Sequence, residues 1–190
     1  MGADREQLIN LMIAYQSGKP EAFESLYKLL RPVLFPYLLY KTYNYSLSED
    51  LLQEAFLQLH RSRRTYLPGK PVLPWVLAIA RNVYLMNGRA RRRREQHEIC
   101  EDPLPEAAAL QDFDRIAERQ SVRKALSRLT HDQREILLMH HIWGLSFREI
   151  AGALGILRGT AKLRAHRAMK ELRKILGVSG VTNGQQEQIN

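Results

Sequence analysis

The stretch from Leu129 to Leu176 constrains the fold more tightly than any other part of the chain. It holds two pairs of the form Ser/Thr-x-x-Glu/Gln, Thr130 with Gln133 and Ser146 with Glu149, each opening an apolar run. In such a pair the hydroxyl accepts from the backbone at the third helical position and that residue's side chain reaches back to the cap, so both mark helix starts. Gly144 and Gly155 close the two runs, where a left-handed terminus favours glycine. The spacing predicts a short helix from Ser146 to about Leu154, a turn Gly155-Ile156-Leu157, and a longer helix from about Arg158 to Leu176. A short helix, a tight glycine turn and a longer basic helix form the helix-turn-helix pattern.

The longer helix divides by face. Ala161, Ala165, Ala168 and Leu172 recur at helical spacing and face inward. Lys162, His166 and Lys170 form one outward row, and Leu163 and Arg167 another. Basic side chains on such a face can reach base edges and phosphates in a major groove. This makes Arg158, Thr160, Lys162, His166 and Arg167 candidate DNA-binding residues. The bland alternative is a solvated basic face on an ordinary helical hairpin.

Elsewhere helical periods are plentiful, and no strand alternation with hairpin signals occurs. Leu51, Leu52, Ala55, Phe56 and Leu59 recur at spacings of three and four, with Ser46 and Glu49 placed as a capping box ahead of them. Pro32 and Pro36 predict a break or kink in the preceding stretch. Pro74 suits the first turn of the next helix. In that helix Trp75, Leu77, Ile79, Ala80, Val83 and Met86 are assigned to a core, and its far end is almost pure arginine. Between Glu95 and Gln120 lie eight carboxylates and only two arginines, with Pro103 and Pro105 among them. This reads as an acidic, flexible linker, or alternatively as an acidic loop within one domain. The expected architecture is all-α: two small helical domains, the second a helix-turn-helix. The boundaries fall at 1–96, 97–119 for the linker and 120–176, with 177–190 a disordered tail.

The formal net charge of +9 points to a polyanionic partner. One cysteine, Cys100, allows no intramolecular disulfide and fits a reducing cytoplasm. No secretory signal is visible, and the apolar runs are too short to span a bilayer, so no membrane insertion is expected. His140 and His141 are adjacent and point apart on a helix, which suits a metal poorly. His97 and Cys100 lack a second ligand pair. No phosphate-binding loop or nucleophile motif is present, so neither a cofactor nor a metal is expected.

The sequence EDLLQEAFLQLHR, followed by PWVLAIARNVYLMNGRARRRR, resembles region two of the extracytoplasmic-function sigma factors. The segment from Leu129 onward resembles their region four. The resemblance covers about residues 20–94 and 120–176. It implies that Asp50, Leu51, Gln53 and Glu54 contact core RNA polymerase. It implies a −10 element reader in which Tyr66, Trp75 and Asn82 supply stacking planes and polar edges. There Arg81, Arg89, Arg91, Arg92, Arg93 and Arg94 neutralise phosphates. For Trp75 a core role is the equal alternative. Lys162, His166 and Arg167 fall where −35 contacts lie. The implied partners are core RNA polymerase, promoter DNA and an anti-sigma factor, with the free chain a monomer. Several positions depart from the family pattern: Leu157 at the cap, Ala161, Leu163, Ala165 and Asn87-Gly88. Two rivals stay open. A LuxR-like regulator requires an N-terminal domain with apolar strands. A sigma-mimicking protein would sequester an anti-sigma factor without initiating transcription.

Overall fold

The computed structural model describes residues 2–95, 126 and 128–176. Four helices form the N-terminal lobe: α1 (Gly2–Gln16), α2 (Glu21–Thr42), α3 (Tyr45–Ser62) and α4 (Val72–Glu95). A single 3-10 turn, Arg63–Thr65, follows α3. The C-terminal lobe consists of α5 (His131–Leu137), a π-turn (Leu138–Ile142), α6 (Phe147–Leu154) and α7 (Arg158–Ile175). No strand occurs among the described residues. No helix among them is long and apolar enough to cross a membrane. The acidic segment 97–119 and the tail 177–190 lie outside this description.

Both proline positions in α2 overturn the expected break, because the helix runs through Pro32 and Pro36. Leu26, Leu30, Leu34, Tyr37 and Leu38 bury the opposite face completely. Proline removes the bond to the carbonyl four residues earlier. Those carbonyls belong to Lys28 and Pro32, both exposed, where water can satisfy them. Burial of a continuous apolar stripe outweighs the remaining cost.

The start of α3 is also corrected. Asn44, not Ser46, caps it, its side chain accepting from the Leu47 amide at 2.9 Å. Glu49 is drawn away to Arg31 on α2 at 2.8 Å. Tyr43 makes the two-residue corner possible by taking a left-handed conformation, φ 51°, at the C-cap of α2. In α4, Leu77, Ala80 and Val83 are buried as expected, Ile79 is half-buried, and Val76 joins the core as well. Met86 is not: at 67% exposed it points to solvent. Pro74 does lie in the first turn.

The lobes are not held apart. Helix α6 packs on α4, and Trp143 meets the Tyr37 ring edge-on at 5.9 Å between centroids. Core residues of both lobes form one hydrophobic cluster.

Candidate nucleic-acid interface

Local sequence builds the helix-turn-helix. Both capping boxes form, with Thr130 and Gln133 opening α5 and Ser146 and Glu149 opening α6. Gly155 ends α6 with φ 66°, its amide bonding back to Ala151. Leu157 caps α7 with no side-chain hydrogen bond. Ala161, Ala165 and Ala168 are buried, and their small size lets α7 lie close against α5 and α6. Arg158, Lys162, His166 and Arg167 are exposed, and Thr160 is half-buried beside them. Arg164 is turned the other way, toward Asp132 of α5 at 3.5 Å.

The N-terminal lobe places its assigned residues unevenly. Asp50 and Gln53 are exposed on α3. Glu54 is half-buried, accepts from Gln58 at 2.7 Å and lies 3.7 Å from Arg61. Leu51 is 3% exposed and belongs to the core instead, so in this arrangement it offers no docking surface. Tyr66, also 3% exposed, departs from the expected stacking role. Its hydroxyl donates to the Lys70 carbonyl, its carbonyl accepts from Gln16 at 2.9 Å, and Trp75 covers its ring at 5.4 Å. Trp75 is half-buried against the core. Asn82 and Arg89 are exposed on α4, and Arg81 is half-buried. Arg91, Arg92, Arg93 and Arg94 continue the α4 backbone, while their side chains lie outside the described residues.

The seam between the lobes was not legible in the local sequence pattern. Lys41 Nζ lies 2.7 Å from Glu135 Oε2, and Tyr37 donates to the other carboxylate oxygen at 3.0 Å. Tyr40 stacks on His131 with ring centroids 4.5 Å apart, and Arg134 donates to the Tyr43 hydroxyl at 3.3 Å. Burial, with Glu135 adding to it, pushes the Tyr37 hydroxyl well above its usual pKa and keeps it a donor. The one available signal was Glu135 itself, a carboxylate leading the apolar run Ile136 to Met139. His140 and His141 are accounted for locally: His140 bonds to the Leu145 carbonyl at 2.8 Å and stacks on Phe147. No group of potential metal ligands assembles among the described residues.

Residues 26–94 match the family Sigma-70 region 2, and residues 119–172 match Sigma-70, region 4. The ECF RNA polymerase sigma factor SigX of Bacillus subtilis is 29% identical over 168 residues, covering 81% of this chain and 83% of SigX. The RNA polymerase sigma factor CarQ of Myxococcus xanthus is 36% identical over 166 residues, covering 87% of this chain and 95% of CarQ. The chain belongs to the extracytoplasmic-function sigma factors. Like them, this sigma factor directs promoter-specific transcription. Its fold agrees. The sigma factor RpoE of Bartonella quintana, solved in complex with the anti-sigma factor NepR, aligns with TM-score 0.62 and 25% identity. That alignment covers 83% of this sigma factor and 98% of RpoE. The LuxR-like alternative is thereby replaced.

Proposed function

We propose that this sigma factor divides its work between two basic lobes, each used on a different part of the promoter. Residues 1–96 form the region-two domain. It docks on core RNA polymerase through the exposed Asp50 and Gln53 with Glu54 beside them, and meets the −10 element along α4. Asn82 offers a polar edge there, while Arg81, Arg89 and Arg91 to Arg94 neutralise phosphates. Residues 120–176 form the region-four domain, which lays α7 in the major groove of the −35 element. Residues 97–119 link the two, and 177–190 form a tail. The chain performs no covalent chemistry of its own, acts in the cytoplasm, is a monomer when free and is held in check by an anti-sigma factor.

The observation that carries this reading is the outward face of α7. Lys162, His166 and Arg167 are exposed on it while the alanine row is buried opposite, and Arg158 is exposed in the first turn. A helix entering a groove needs this division, with its N-terminal turns toward the bases.

The test is run-off transcription on fragmented genomic DNA with purified core polymerase, with and without this protein. Discrete new start sites are expected, lost when Lys162 and Arg167 are both replaced by Ala. Binding to core polymerase without any new start site would instead favour the mimic that sequesters an anti-sigma factor.

A further inference from the structure

On α7 one exposed side chain is out of keeping with its neighbours. Leu163 is 48% exposed, yet it stands two residues from each of the buried Ala161 and Ala165. With 3.6 residues per turn, two residues turn a helix by about 200°. Leu163 therefore occupies the outermost line of the helix, diametrically away from the lobe core. His166 and Arg167 flank it one turn later, and both are exposed. One turn earlier stands Gly159, beside which even an added Cβ would meet nothing within 4 Å. Leu163 thus projects from a basic face, and the position four residues before it carries no side chain.

A scattered exposed leucine needs no explanation. Position separates this one from that background. Resting on the proposal that α7 enters the −35 major groove, Leu163 is the side chain aimed most directly at the base-pair edges. It can neither neutralise a phosphate nor form a hydrogen bond. Of the groups displayed in the major groove, the apolar one is the thymine C5-methyl, and apolar side chains recognise it by contact. Neighbouring Lys162, His166 and Arg167 supply charge and hydrogen bonds to phosphates and purines, which a leucine cannot replace.

We propose that Leu163 is a specificity-determining residue that reads the C5-methyl group of one thymine in the −35 element. It selects thymine over cytosine at that base pair by burying its own side chain against the methyl.

The experiment removes single methyl groups from DNA. The full chain is bound to core polymerase and used to enrich duplexes from a library randomised across the −35 region. Each thymine of the enriched sequence is then replaced in turn by deoxyuridine, which keeps the hydrogen-bonding edge and lacks only the methyl. One position is expected to lose affinity about fourfold, as for one buried methyl group. In Leu163→Ala that position should show no uracil penalty, while affinity for the uracil duplex stays at the wild-type level. The substitution is exposed and favours helix, so circular dichroism should be unchanged. Placing 5-methylcytosine at the same position in a cytosine-containing duplex should restore part of the loss for the wild type alone. Identical uracil profiles for the wild type and Leu163→Ala would overturn the inference while leaving −35 recognition standing. The same holds if no thymine is enriched where α7 protects the DNA. Failure to enrich any sequence would bring down the −35 assignment, and the Leu163 inference with it.

Discussion

Lys41 at the end of α2 and Glu135 in α5 form an ion pair of 2.7 Å with both side chains 6% exposed, and this pair joins the two lobes. Tyr37 satisfies the second carboxylate oxygen at 3.0 Å. Taking charges out of water is costly, and removing one partner strands the other. Lys41→Met is therefore expected to destabilise by about 3–5 kcal/mol. The double variant Lys41→Met with Glu135→Leu should cost less than Lys41→Met alone, because no charge is left buried. Urea midpoints of the two single variants and the double variant measure this directly. Additive losses would mean that the pair is not coupled in solution.

His131 makes the seam sensitive to acid. Burial first, then the nearby Lys41 charge, hold its imidazole below the usual pKa, against the opposing pull of Glu135 and Asp132. The folded state thus binds a proton less readily than the unfolded chain, whose histidine titrates at about 6.5. This contribution to stability is complete above that value. It declines as pH falls below it and is lost through the folded pKa. Urea midpoints recorded between about pH 7.5 and 5 should fall, and His131→Gln should flatten that part of the profile.

Glu149 serves two structures at once. One oxygen closes the capping box on Ser146 at 2.7 Å, and the other takes Arg5 of α1 at 2.5 Å. Burial alone would raise its pKa, but the Ser146 and Arg5 contacts outweigh this and hold it below the usual carboxylate range. Its stabilising effect is present above about pH 4.3 and is lost as pH falls through the folded value. Ser146→Ala, which breaks the other half of the box, should cost about 1 kcal/mol. Arg5→Ala should cost at most about 1 kcal/mol because the arginine is partly solvated. Thermal unfolding at pH 7 should rank them in that order.

Docking on core polymerase should depend on the exposed polar row of α3. Asp50→Arg together with Gln53→Ala should weaken co-purification with core polymerase at least tenfold, about 1.4 kcal/mol. Helicity should not change, because both side chains are exposed. Undiminished binding would move the docking surface elsewhere.

The two basic surfaces should differ in kind. Two of the four residues Arg91 to Arg94 replaced by Ala should lower affinity alike for promoter DNAs carrying a matched or a scrambled −35 element, flattening the salt slope by up to about two units. Arg167→Ala should instead narrow the gap between the two DNAs by roughly 1–3 kcal/mol. Fluorescence anisotropy at several salt concentrations separates the two behaviours, and the reverse pattern would exchange the roles.

The features legible in the amino-acid order are those governed by near neighbours. The capping boxes at Thr130 and Ser146, the left-handed Gly155 and the buried alanine row of α7 are relations among residues at most a few turns apart. Helix geometry settles these without reference to the rest of the chain. The same logic failed where distant packing competed with it. Pro32 and Pro36 read as breakers until the burial of Leu30, Leu34 and Leu38 held α2 together. Ser46 and Glu49 read as a cap until Arg31 claimed the carboxylate. Tyr66 read as a stacking plane until Trp75 covered it. The lobe seam lay beyond local reading altogether, since Tyr37 and Glu135 stand 98 residues apart in the chain. The packing of α6 on α4 holds the two lobes together. Once it does, a buried carboxylate must find a donor and a cation, and Tyr37 and Lys41 are the groups within reach.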